Sequence, residues 1–148
     1  MALSGERLVA TQSGKATNGT DGNTTSTGYV VNLTTAGTCG VAFVAPPSGK
    51  VTVLFSTASY NPSANVDNKT AVRVGTSNTI GGGTEVYAAS DNDMILTNVA
   101  ANLATRHTGF AEISGLTAGN TYNACMAHRV SAGTGHFLFR SIKVIPDP

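Results

Sequence analysis

Gly115-Leu116-Thr117-Ala118-Gly119-Asn120-Thr121-Tyr122, followed by an apolar run from Gly135 to Ile145, decides the fold. Glycines mark a turn, and the runs around it alternate apolar with polar residues, the period of a half-buried strand. Short alternating runs separated by glycine-rich turns read as an all-β sandwich. Only Pro146, Asp147 and Pro148 follow the last run. Nothing comparable in the chain points to a catalytic centre.

Working outward, Thr105 to Ile113, Tyr122 to Val130 and His136 to Ile145 are expected strands. Upstream, the apolar run Cys39 to Ala45 is stopped by Pro46-Pro47-Ser48-Gly49. Prolines donate no ladder hydrogen bond and Ser-Gly completes a turn, so Lys50 to Phe55 is expected to fold back as a hairpin partner. In that strand Val51, Val53 and Phe55 share one face, the better core candidate, and Thr52, Leu54 and Ser56 share the other. Thr70 to Gly75 alternates Ala71 and Arg73 against Val72 and Val74, and Gly81-Gly82-Gly83 marks a further turn. Tyr29 to Leu33 and Glu85 to Ala89 read as strands. Met94, Leu96, Val99 and Leu103 give Met94 to Ala104 the one helix-compatible spacing.

The set of roughly eight strands suits a double-sheet jelly roll. Thr11 to Thr27 is almost wholly polar, with turn signals at Asn18-Gly19 and Asp21-Gly22, so Glu6 to Ala10 is expected to form a short strand or arm ahead of a loop. The resulting organisation is an N-terminal arm and polar loop over 1–27 and a jelly-roll β-sandwich over 28–148.

The 148 residues suit one domain with a sizeable core. Charged residues make up only 11%, so Ser, Thr, Asn and Gly must supply much of the polar surface, which suits close packing against other subunits. Nine Lys and Arg against eight Asp and Glu give a net charge of +1. That balance is no electrostatic footprint for nucleic acid, an anionic membrane or an acidic substrate. The N-terminus lacks the apolar core of a signal peptide and no stretch approaches a membrane span, so the chain is expected to be made and kept in a cytoplasm. Cys39 and Cys125 belong to no Cys-x-x-Cys pair and read as free, buried thiols; a bridge would require neighbouring strands.

Val41-Ala42-Phe43-Val44-Ala45-Pro46-Pro47-Ser48-Gly49-Lys50-Val51-Thr52-Val53, taken with the Gly115 to Tyr122 turn and Gly133-Thr134-Gly135, resembles small structural proteins of tailed bacteriophages. The resemblance covers about residues 40 to 145 and lies in the order and spacing of turn motifs that are individually common among β-sandwiches. It implies a jelly-roll head, often trimeric and similar to tumour-necrosis-factor-like heads, serving as a capsid decoration or minor tail protein. No coiled coil or collagen-like stalk precedes the sandwich, so capsid decoration is preferred. The expectation is a non-enzymatic homotrimer that binds the major capsid protein of its virion at the capsid surface, assembled in the host cytoplasm. The alternative is a minor tail or receptor-binding protein that recognises a host-surface glycan.

Sites of chemistry are expected to be absent. There is no Gly-x-Ser-x-Gly elbow, no evident carboxylate pair and no phosphate-cradling glycine loop, so neither catalytic residues nor a cofactor are assigned. His107, His128 and His136 lack the paired spacing of a metal motif and two of them adjoin arginines, so no metal is assigned. Asp91-Asn92-Asp93 reads as an ordinary turn and Glu112 as solvent-facing. Tyr29, Tyr60, Tyr87 and Tyr122, without tryptophan, give only a minor sugar-stacking option. Arg73, Arg106, Arg129 and Arg140 fall within strands, where bidentate contacts across subunits are available to them. Together with Glu6 and Arg7 of the arm and with His107 and His136, they form the expected interface set.

Overall fold

The computed structural model describes residues 14–98 and 100–147. Ten strands follow in chain order: β1 (Lys15–Asn18), β2 (Gly22–Thr24), β3 (Gly40–Val44), β4 (Val51–Tyr60), β5 (Asp67–Gly75), β6 (Glu85–Tyr87), β7 (Ile95–Asn98), β8 (Thr105–Ile113), β9 (Thr121–Val130) and β10 (Gly135–Pro146). One sheet runs β1-β10-β4-β8, with β2 also on β10, and the other runs β3-β9-β5-β6, with β7 also on β5. Every pairing is antiparallel.

Alternation sets the core. Val51, Val53 and Phe55 of β4 point inward as expected, beside Ile142 and Val144 of β10 and Ala111 and Ile113 of β8. The facing layer contributes Val72 and Val74 of β5 and Tyr122, Ala124 and Met126 of β9, with Phe43 of β3 stacked on Tyr122. Cys39 joins this core, whereas Cys125, paired with the adjacent Gly40, belongs to the opposite face of its sheet; both are buried free thiols. Burial raises both thiol pKa values.

Several local expectations give way to tertiary structure. β3 and β4 are not a hairpin: β3 pairs with β9 and β4 with β10 and β8, in opposite layers. The two prolines cannot carry a ladder across the turn, and the chain passes over the rim of the sandwich instead. Gly49 makes that passage at φ +65, where an added Cβ would stand 2.4 Å from the Leu116 carbonyl oxygen. The polar stretch expected as a loop supplies β1 and β2, both bonded to β10, so residues 14–27 are built into the sandwich. A peripheral strand needs backbone pairing more than apolar side chains. The expected arm, Glu6 to Ala10, lies outside the described residues.

No described residue is in an α-helix. Within Met94 to Ala104 the chain forms β7, which turns Ile95 and Thr97 inward and leaves Leu96 exposed, a period of two. Tyr29 to Leu33 makes no ladder. It lies against the sandwich through an isolated bridge from Val30 to His128 of β9, while Leu33 bridges locally to Gly37.

Candidate partner-binding face

With 51, 53 and 55 inward, β4 turns Thr52, Leu54 and Ser56 outward. The register then lines Lys143 of β10, Leu54 of β4 and Phe110 of β8 in one cross-strand row. Leu54 is 37% exposed and Phe110 61%. Adjoining rows carry Ile145, Thr52 and Glu112 on one side and Ser141, Ser56 and Thr108 on the other. Arg106 borders this face and donates from Nη2 to Ser56 Oγ at 3.3 Å.

A bulge exposes a further apolar side chain on β10. Between Leu138 and Ser141, β10 gains one residue against β4. Phe139, at φ +47, is left 57% exposed, while Arg140 is directed inward at 1% exposure. Bulges re-aim side chains in this way, and positive φ in a bulky residue is strained.

The other expected interface residues that the structure describes have partners within the chain. On the outer face of the second sheet, Arg73 donates from Nε to Glu85 Oε2 at 3.0 Å and from Nη2 to Gly83 O at 3.1 Å, fastening the glycine turn. Arg129 lies over the Tyr29 ring, 5.4 Å from its centroid, and donates to Asp91 and to Thr27 O. Asp91 also accepts from Lys69 Nζ at 2.8 Å and Tyr29 Oη at 2.9 Å. These donors, Arg129 first, hold its carboxyl well below the usual carboxylate range. Asp91 thus ties the loop after β6 to the sheet, and Asp93 accepts from Tyr87. Burial, with the Asp93 carboxylate, pushes the Tyr87 phenol up to about 12.

His107 is exposed on β8, its Nε2 3.1 Å from Thr105 Oγ1. His136 stacks on Tyr60 with ring centroids 4.4 Å apart and contacts Asp21 at 3.1 Å. Arg140, expected at an interface, is inside the sandwich and donates to Gly37 O at 3.0 Å and Ala36 O at 3.1 Å. Glu6 and Arg7 lie outside the described residues. Among the described residues no cluster of three His, Cys, Asp or Glu side chains has metal-binding geometry.

No protein-family model matches the chain, and no curated protein matches it in sequence. Solved structures do match in three dimensions. A chain in the structure of infectious bursal disease virus, Gx strain, superposes over 99% of this chain at 11% identity and a TM-score of 0.58. The Gt strain gives 99%, 9% and 0.56. This chain spans 36% and 37% of those viral chains. The fold is a jelly roll. Eiger TNF from S. frugiperda matches over 93% of this chain and 94% of its own at 8% identity, with a TM-score of 0.47. At such identities the likeness is one of fold.

The charged residues singled out from sequence therefore mostly fasten the fold, and the exposed apolar trio was missed. Phe110 was accessible to simple alternation, because Ala111 and Ile113 point inward. Phe139 was not, since its exposure depends on the bulge.

Proposed function

We propose that this protein is a non-enzymatic structural component of a bacteriophage virion, a homotrimer that seats on the capsid surface, binds the major capsid protein and stabilises the shell. The observation that carries the reading is the exposed Leu54–Phe110 row, with Phe139 also exposed on β10 of the same sheet. Large apolar side chains grouped on an ordered surface favour burial against a partner. Leu54 and Phe110 are anchored on paired strands, so little ordering entropy opposes that burial. The fold shared with infectious bursal disease virus chains is in keeping with a shell component, and the turn motifs resembling those of phage structural proteins favour the bacteriophage assignment.

Light scattering of the purified protein, alone and with undecorated phage shells, tests the reading. A trimer that loads at many copies per shell is the expected result. A species that ignores shells but adheres to host cells would overturn it in favour of a receptor-binding role.

A further inference from the structure

β8 is an open edge. Among the described residues it pairs only with β4, over nine consecutive registered positions from Thr105 to Ile113, and no other backbone hydrogen bond joins it to the fold. Natural edge strands are commonly shortened, bulged or interrupted by proline. β8 is nine residues long, unbulged and free of proline, and its only charged residues are Arg106 and Glu112. A groove of about 470 Å³ runs beside it, lined by Met94, Gly109 and Phe110, with the carboxylates of Asp93 and Glu112 at its sides. The edge therefore offers backbone pairing, apolar contact and negative charge together.

We propose that the edge of β8 receives, as an added strand, residues Glu6 to Thr11 of a second copy of this chain. The segment Glu6-Arg7-Leu8-Val9-Ala10-Thr11 has the composition of a short strand, and Arg7 would bring a cation to Asp93 and Glu112, which form no ion pair among the described residues. Strand addition to an exposed edge is a general recognition mode, with main-chain bonds giving affinity and alternate side chains giving specificity.

Geometry directs the segment to a neighbour. Lys15 begins β1 at the opposite edge of the same sheet, and Gly14 is held there by the bond from Val144 N to Gly14 O. A strand beside β8 would lie four inter-strand spacings from β1, about 19 Å. The three steps from Thr11 to Gly14 span at most about 11 Å. The chain's own β8 is out of reach of this segment, and another copy's is not. Joining the β1 side of one copy to the β8 side of the next is a head-to-tail contact, the kind that closes into rings. The inference deepens the homotrimer reading and rests on it.

The test mixes two full-length variants, Val9→Cys and Thr108→Cys, under mild oxidation. Cys39 and Cys125 are buried and serve as the silent background. The expected result is a covalent dimer that forms in the mixture and is absent from the Thr108→Cys chain alone. A second edge variant, Phe110→Cys, lies on the same face and covers a two-residue shift in register. If wild type is a trimer by light scattering and neither mixture yields the dimer, the strand-addition inference fails while the trimer stands. A disulfide within single chains of the Val9→Cys/Thr108→Cys double variant would also overturn it. A wild type that remains monomeric at all concentrations would overturn both the trimer and the inference.

Discussion

Thr70 Oγ1 lies 2.9 Å from His128 Nδ1 across the β5–β9 ladder, and both side chains are sealed inside the sandwich. The imidazole tilts against Phe137 with ring centroids 4.4 Å apart. One end of the core is therefore polar: Asn61 donates to Asn68 at 3.1 Å, Asn68 donates to Tyr60 O, and Arg140 crosses to the carbonyls of residues 36 and 37.

Acid should weaken the fold through His128. Burial, with the Arg140 charge adding to it, holds the imidazole pKa well below its usual value. The folded state keeps the ring neutral, whereas the unfolded chain takes up a proton below about pH 6.5. The contribution is complete above that pH and declines as pH falls, by up to about 1.4 kcal/mol per pH unit. Urea unfolding should therefore give a lower stability at pH 5 than at pH 7.5. Equal stabilities would show that His128 is not sealed.

Arg140 contributes hydrogen bonds without a carboxylate: none of the ion pairs among the described residues includes it. Arg140→Ala takes one donor from each of the Gly37 and Ala36 carbonyls, which keep Leu33 N and Asn18 Nδ2, and opens a void, at a cost of about 3 kcal/mol. Chemical denaturation measures this directly. A loss under about 1 kcal/mol would mean that the 36–37 turn is held by other contacts.

Leu54→Ser combined with Phe110→Ser should separate folding from assembly. Phe110 is mostly exposed, so the melting temperature should move little, while the scattering mass falls to that of a monomer and shell loading disappears. Undiminished loading would remove this face from the interface.

Gly49→Ala places a Cβ against the Leu116 carbonyl at a backbone angle that alanine resists. A loss of about 2 kcal/mol is expected from calorimetry or urea titration. Gly119→Ala provides a comparison, since its φ is also positive at +80 but no atom stands within 4 Å of the added methyl. The larger cost should fall on Gly49.

Asp91→Asn should release the loop after β6 without unfolding the sandwich, because Arg129, Lys69 and Tyr29 would lose their shared ionised acceptor. Limited proteolysis should then cut between residues 88 and 94 in the variant well before wild type. Identical digestion patterns would show that Asp93 and Tyr87 suffice to hold it.

Periodicity exposed the central strands because each has one face against the other sheet: Val51, Val53 and Phe55 could be assigned inward from β4 alone. It did not expose β1 and β2, whose Thr and Asn residues carry little apolar signal and whose strand state depends on β10 offering a ladder. The Pro46–Gly49 turn was legible as a turn but not as a crossing between sheets, because turn chemistry does not say which layer comes next. The helix-like spacing from Met94 to Leu103 yielded to pairing of β7 with β5. For the candidate face, alternation reaches Leu54 and Phe110. Phe139 and Arg140 exchange environments at a one-residue bulge, which shifts every later side chain relative to a simple count.

β10 bonds to β1, β2 and β4, yet it is the last of the ten strands to be synthesised. Until it leaves the ribosome, β1 lacks its ladder partner, β2 keeps only its bridge from Asn23 to Thr34, and the first sheet is limited to the long-range β4–β8 pair. Such long-range closure is slow compared with local structure formation. A nascent chain interrupted before residue 135 presents no finished Lys143–Leu54–Phe110 row. Any contact made through that row therefore depends on β10, the strand most distant in sequence from the β1 and β2 it holds.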